Sequence, residues 1–275
     1  MKIKDDNIDN GKAFDWGKTS NDYAKYRDIY PQTVYEKIAK RNLCVQGQKV
    51  LDLGTGTGVL PRNMYTYGAE WTGTDISEEQ IAFAKKLAKE KKQNIEYLVV
   101  ATENIAFPDD TFDVITACQC FYYFDKKEVI PKLASLLKKD GKLFVLYMVW
   151  LPMEDAIAKE SEKLILKYNP QWTGAGETRH PLWVSSYVHE LFEVVYQEEF
   201  DVDVPFTRDT WNGRMRACRG IGASLSLQKT KEWESEHLAM LDRIATEKFT
   251  IKHQVRILEL INRKDNNDEV KIKTV

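Results

Sequence analysis

The segment Val50-Leu51-Asp52-Leu53-Gly54-Thr55-Gly56-Thr57-Gly58 constrains the fold of this chain more than any other stretch. Lys49–Leu53 reads as a buried strand, glycine follows at once, and a helical pattern starts at Val59. A strand running into a tight glycine turn and then a helix is the opening of a βαβ unit. Its glycines permit positive φ and let a ligand reach the backbone with no Cβ in the way. The spacing is G-x-G-x-G. A G-x-G-x-x-G loop, which seats a pyrophosphate on the helix N-terminus, needs its third glycine where Val59 stands. Asp52, set between apolar residues just before the turn, suits a cationic ligand and not a pyrophosphate.

About 20 residues further on, Gly73-Thr74-Asp75-Ile76-Ser77 closes a second strand around Trp71–Thr74, at the place where an acid can bond both hydroxyls of a ribose. S-adenosylmethionine, with an ammonium, a sulfonium and a ribose, answers both Asp52 and Asp75.

The surrounding pattern alternates. Thr19, Ser20 and Asn21 are N-cap candidates for a helical segment reaching Tyr30, and Pro31 opens another through Ala39. Ser77 caps a long helix, Ile95–Val100 and Phe112–Cys118 read as strands, and Lys127–Lys138 reads as a helix. A fifth strand, Lys142–Met148, follows an Asp140-Gly141 turn. The alternation then breaks: Pro152–Pro170 is helical in pattern, Trp172–Pro181 irregular, Phe192–Val204 extended, Thr207–Ala245 helical and Phe249–Ile261 a last strand. The fold class expected is α/β, a doubly wound, mostly parallel sheet ending in an antiparallel pair, with a helical lid inserted around the last strands. On this reading 1–150 holds the N-terminal helices and the cofactor-binding core, 151–263 the lid insertions and final antiparallel strands, and 264–275 a frayed tail.

At LDLGTGTG (Leu51–Gly58) and FPDDTFDVI (Phe107–Ile115) the chain resembles the class I S-adenosylmethionine-dependent methyltransferases, in the small-molecule branch with a type 11-like domain. The resemblance runs roughly from Phe14 to Met148. It implies a seven-stranded Rossmann-like sheet, S-adenosylmethionine as cofactor and S-adenosylhomocysteine as product. Carried over residue by residue, it places Gly54, Thr55, Gly56 and Gly58 against the cofactor and Ile76 on the adenine. Thr102 and Glu103 fall beside the adenine, where Ala101 replaces the aspartate of many relatives, and Cys118 and Gln119 line the methionine part. The stretch Tyr23-Ala24-Lys25-Tyr26-Arg27-Asp28-Ile29-Tyr30-Pro31 resembles the branch's YxxYRxxYP segment, which implies Tyr23, Tyr26 and Arg27 near the cofactor carboxylate.

Composition narrows the partners. A net charge of −2 over 275 residues offers no basic stripe for nucleic acid. Met1–Asp15 lacks the apolar region of a secretory signal, and no apolar run approaches the roughly 20 residues of a membrane span. Cys44, Cys118, Cys120 and Cys218 read as reduced thiols of a cytoplasmic protein. Cys118, Cys120 and Cys218 invite comparison with arsenic methyltransferases, but no metal-ligand spacing is present and no metal is expected. The sequence does not give the oligomeric state.

Methyl transfer from a sulfonium is an in-line displacement that needs positioning and exclusion of water, with a base only where the acceptor must lose a proton. Tyr122, Tyr147 and His253 are the candidates for that role, the alternative for His253 being a structural histidine. Trp150, Trp183, Trp211, Arg214, Arg216 and Arg219 are candidate acceptor contacts, against core tryptophans and solvated helix-face arginines. The function expected is methyl transfer to oxygen, nitrogen or carbon of a small molecule. The competing reading is a cofactor-binding regulator or non-transferring relative; a dehydrogenase is opposed by Val59 and Asp52.

Overall fold

The computed structural model describes residues 3–263, so the tail expected at 264–275 lies outside the described residues. In chain order the elements are α1 (Ser20–Tyr26), α2 (Gln32–Lys40), β1 (Lys49–Leu53), α3 (Val59–Met64), β2 (Glu70–Asp75), α4 (Glu78–Glu90), β3 (Glu96–Val99), β4 (Phe112–Cys118) and α5 (Lys126–Leu136). There follow β5 (Leu137–Trp150), α6 (Ala156–Tyr168), α7 (Ser186–Leu191), β6 (Phe192–Thr207), α8 (Arg208–Arg216), α9 (Leu227–Ile244) and β7 (Lys248–Asn262).

Among the described residues the sheet has seven strands in the order β3-β2-β1-β4-β5-β7-β6. The pairings of β1 with β2 and β4, of β2 with β3 and of β4 with β5 are parallel. The expected α/β sheet is therefore present and mostly parallel. From Val50 to Leu53, β1 is buried at every position, as a central strand covered on both faces must be. The strand order reverses beside β1, between β2 and β4, which is where open α/β sheets leave a crevice at the carboxyl ends.

Three expectations change. The helical pattern Thr207–Ala245 breaks into α8 and α9, with turns over 217–226 carrying Gly220 and Gly222. The Asp140-Gly141 turn lies inside β5: Phe112 faces Leu137 while Val114 faces Lys142, and Asp140 takes φ +64° in the resulting irregularity. The short helix α7 was not read from sequence, because six residues with a single buried side chain, Val188, carry too little periodicity.

The residues group into two compact units. One, the core unit, comprises Gln32–Tyr147, Pro181–Phe200 and, of the described residues, those from Val255 to Arg263. Its apolar core joins Leu51 and Leu53 of β1, Ile115 and Ala117 of β4 and Val145 of β5 to Leu133 of α5 and Val188 of α7. The other, the helical unit, comprises the chain up to Pro31, Met148–His180 and Asp201–Gln254. It is organised around α8. The Trp211 indole is fully buried and donates to Ser161 Oγ at 3.0 Å, and the same oxygen lies 3.0 Å from His237 Nε2, whose Nδ1 is 2.8 Å from Asn212 Oδ1. The N-terminal segment is tied into this unit by Asp9, fully buried, which accepts from the Thr173 N–H at 2.8 Å and from Arg219 Nε at 2.9 Å. No helix among the described residues is long and apolar enough to cross a membrane.

The seat of α1 on α8 is a glycine. A methyl group on Gly213 would run into the Tyr26 ring, which is 7% exposed. Alanine in a helix interior gains up to about 1 kcal/mol over glycine, whereas overfilling a packed contact costs about 1–3 kcal/mol. Steric loss should win, so Gly213→Ala is expected to lower stability by about 1–2 kcal/mol in urea denaturation. A midpoint equal to or above wild type would mean that Tyr26 is not seated there.

Candidate cofactor site

In the core unit, register brings four segments to one edge of the sheet. Leu53 pairs with Thr74 and with Ala117, and Asp75 pairs with Val99. The residues that follow these strand ends therefore emerge side by side: the glycine loop after β1, Asp75 and Ile76 after β2, Ala101 to Glu103 after β3, and Cys118 with Gln119 at the end of β4.

The loop is left-handed at three places, Gly54, Gly56 and Gly58, with φ of +54°, +57° and +75°. At Gly58 a side chain would also strike Tyr97, so both conformation and space demand glycine. At Gly56 the left-handed turn directs the N–H to Asp75 Oδ2 at 2.9 Å. The other oxygen of Asp75 accepts from Ser77 N–H at 2.8 Å, and Ser77 in turn caps α4 by accepting from Gln80 N–H. Asp75 thus ties the loop to the start of α4.

Asp52 is 2% exposed and bonded on both oxygens, from Thr55 Oγ1 at 2.6 Å and Thr116 Oγ1 at 2.5 Å. Burial raises its carboxyl to about 6 against the pull of those two hydroxyls, with nearby Asp75 adding to the rise; Asp75 is itself raised by burial. Among the described residues neither acid has a lysine or arginine at ion-pair distance. Such a pair suits a ligand that brings positive charge and hydroxyl donors; a pyrophosphate would be repelled. Thr116 was missed in the sequence, where its only signal is a hydroxyl inside the apolar run of β4.

The remaining cofactor candidates of this unit fall as follows. Ile76 is half-buried beyond β2, Thr102 is buried and Glu103 half-buried in a 3-10 turn, with the Glu103 carbonyl taking a hydrogen bond from Lys132. Gln119 holds φ +65°, an uncommon conformation for a residue other than glycine, and sits beside the half-buried Cys118. Tyr147 packs on Tyr122 with ring centroids 4.6 Å apart and accepts the Tyr122 N–H at 2.9 Å. Burial pushes the Tyr147 hydroxyl well above its ordinary value, which disfavours it as a base. Trp183 is 68% exposed.

The helical unit holds the other candidates. Tyr26 packs on Gly213, while Tyr23 accepts a hydrogen bond from Arg27 Nη2 at 3.2 Å. Arg216 makes a two-point ion pair with Asp22, at 2.6 and 2.7 Å, and a further one with Glu234. Arg219 is bound to Asp9, and Trp211 is a core residue. Arg214 is buried with its guanidinium 4.9 Å from the Trp150 ring centre. His253 is fully buried, with Nδ1 2.9 Å from the Ile251 carbonyl; burial first, then Arg214 and Arg27, hold it down at about 3.

Known proteins fit this geometry. Residues 50–141 match the methyltransferase-domain family. A ubiquinone biosynthesis O-methyltransferase of Coxiella burnetii is 31% identical over 152 residues, covering 52% of this chain and 64% of that protein. The uncharacterised methyltransferase YcgJ of Bacillus subtilis is 26% identical over 170 residues, covering 61% and 65%. The chain therefore spans less than two thirds of either relative's length. The crystal structure of YcgJ superposes with a TM-score of 0.50 at 20% identity, over 84% of this chain and 98% of that one, a likeness of fold. Over residues 50–141 the chain is therefore similar to the methyltransferase-domain family, and the G-x-G-x-G turn, the two strand-end acids and the strand order agree with that match.

Proposed function

We propose that the protein transfers a methyl group from S-adenosylmethionine to a small-molecule acceptor. One observation carries this reading: two carboxylates without cationic partners, Asp52 and Asp75, converge on a left-handed glycine turn at the carboxyl edge of the sheet. Bound S-adenosylmethionine supplies a methyl group on a sulfonium, already activated for displacement by a nucleophile. Asp75 keeps lone pairs for ribose hydroxyls beyond its two backbone bonds, and Asp52 provides negative charge at the loop. Ile76, Thr102 and Glu103 are assigned to the adenine side, Cys118 and Gln119 to the methionine side. The chain's own part in the reaction is to bind, orient and exclude water. Four free thiols suit a reducing compartment, and the same reading assigns the protein to the cytoplasm.

Calorimetry with S-adenosylmethionine, S-adenosylhomocysteine and NADH tests the proposal. The two sulfur compounds should bind and NADH should not; binding of NADH alone would overturn it. Asp75→Ala is expected to weaken S-adenosylhomocysteine at least tenfold in a variant that stays folded, and unchanged affinity would remove Asp75 from the site.

The pH dependence follows from Asp52. Its carboxyl is raised on folding, so the ligand-free protein gains stability from this group as pH falls through about 6 and loses that contribution as pH rises. A cation beside Asp52 favours the ionised form. S-adenosylmethionine affinity should therefore fall about tenfold from pH 7 to pH 5, and Asp52→Asn should bind more weakly with a flat profile. A wild-type profile that is flat as well would separate Asp52 from the cofactor.

A further inference from the structure

Residues that pair across neighbouring strands carry their side chains on the same face of a sheet. Gly73 of β2 pairs with Asp52 of β1 on one side and with Tyr97 of β3 on the other, and Asp52 pairs in turn with Thr116 of β4. One row therefore runs Tyr97, Gly73, Asp52, Thr116 across the root of the glycine loop, three side chains and one bare position. Gly73 is not left-handed, so backbone conformation does not call for glycine there. Space does. A Cβ on Gly73 would lie 2.8 Å from Tyr97 Cδ1 and 2.9 Å from Thr55 Oγ1, closer than packed atoms come. Thr55 Oγ1 is the atom that donates to Asp52 at 2.6 Å, so this hydroxyl reaches the carboxylate through the room the glycine leaves.

Tyr97 fills the other part of that room. It is 3% exposed and packs with Ile81, Ala84 and Ala88 of α4, so in a close-packed interior its ring has nowhere to retreat. The same ring abuts Gly58, the last glycine of the loop. Its hydroxyl is buried without a hydrogen-bond partner, which leaves the shape of the ring, and not its polar atom, to support the loop.

We infer that Gly73 and Tyr97 are positioning residues of the cofactor site: the missing side chain of one and the ring of the other set Thr55 on Asp52 and back Gly58 in its left-handed turn. The consequence for cofactor affinity rests on the proposed use of S-adenosylmethionine; the consequence for Asp52 does not. Asp52 reports this packing directly. Thr116 and Thr55 pull its carboxyl down against burial, and Asp75 is the charge that pushes it up. The other titratable groups that face it, Cys44, Cys118, Cys120 and Tyr97, are all raised by burial and carry no charge near neutrality. Displacing the Thr55 hydroxyl therefore moves Asp52 further up from about 6.

The test follows the Asp52 carboxyl carbon by NMR across pH in the ligand-free full chain, assigned with Asp52→Asn, and measures S-adenosylmethionine by calorimetry at neutral pH. Thr55→Val, which keeps the shape and loses the hydroxyl, should raise the Asp52 midpoint. Gly73→Ala should raise it as well and weaken S-adenosylmethionine about tenfold, and the two substitutions together should raise the midpoint no further than Thr55→Val alone. Tyr97→Leu should weaken S-adenosylmethionine about tenfold, and Tyr97→Phe, which restores the ring, should bind as wild type does. An unchanged midpoint in Thr55→Val or in folded Gly73→Ala overturns the inference, and so do midpoint shifts that add in the double variant. If Gly73→Ala does not fold, the Tyr97 pair decides, since equal affinities in Tyr97→Leu and Tyr97→Phe remove the ring from the site. A wild-type protein that binds no S-adenosylmethionine would overturn the methyltransferase reading, while the Asp52 midpoints would still decide whether Gly73 sets Thr55.

Discussion

A carboxylate sealed inside the sheet sets the terms for the rest of the core unit. Asp52 occupies a position that packing alone would give to an aliphatic side chain, between Leu51 and Leu53, both fully buried. It survives there because Thr55 of the loop and Thr116 of the next strand each donate a hydrogen bond to it. Bonds to a charged acceptor are worth about 1.5–3 kcal/mol each, which offsets part of the desolvation but leaves the carboxyl raised. The same two bonds fix the loop to β1 and β1 to β4. The turn's geometry is therefore held by the acid at its root and, through Gly56, by the acid at the end of β2. Two negative groups that raise each other's cost are a poor choice for stability and a reasonable one for a cationic ligand.

The helical unit presents the opposite sign. Three half-buried arginines are answered by acids: Arg41 by Glu259, Arg216 by Asp22, Arg219 by Asp9. Arg214 differs from them: it is buried, and its Nε and Nη1 meet no acceptor among the described residues.

Much of this was legible in the sequence, for identifiable reasons. β1 and β4 begin and end within a residue of expectation because buried parallel strands are apolar runs bounded by turn residues, and the order of glycines and acids follows from spacing alone. Local chemistry also gave Ser77 as a cap. What could not be read is whatever depends on distant partners. Arg214, Arg216 and Arg219 lie within six positions and carry the same side chain, yet two of them are neutralised by Asp22 and Asp9, 194 and 210 residues away. The break between α8 and α9 escaped because apolar periodicity continues across the turn. Tyr147 reads as an available hydroxyl, and only tertiary structure turns it inward to receive the Tyr122 N–H.

Burial moves several titratable groups away from use at neutral pH. Burial moves the thiols of Cys118 and Cys120 and the Tyr147 hydroxyl upward, away from use as bases at neutral pH. His253 is displaced the other way, to about 3, by burial and by repulsion from Arg214 and Arg27. Burial is the larger of the two causes, so the imidazole is neutral at physiological pH, with Nδ1 as the protonated nitrogen donating to the Ile251 carbonyl.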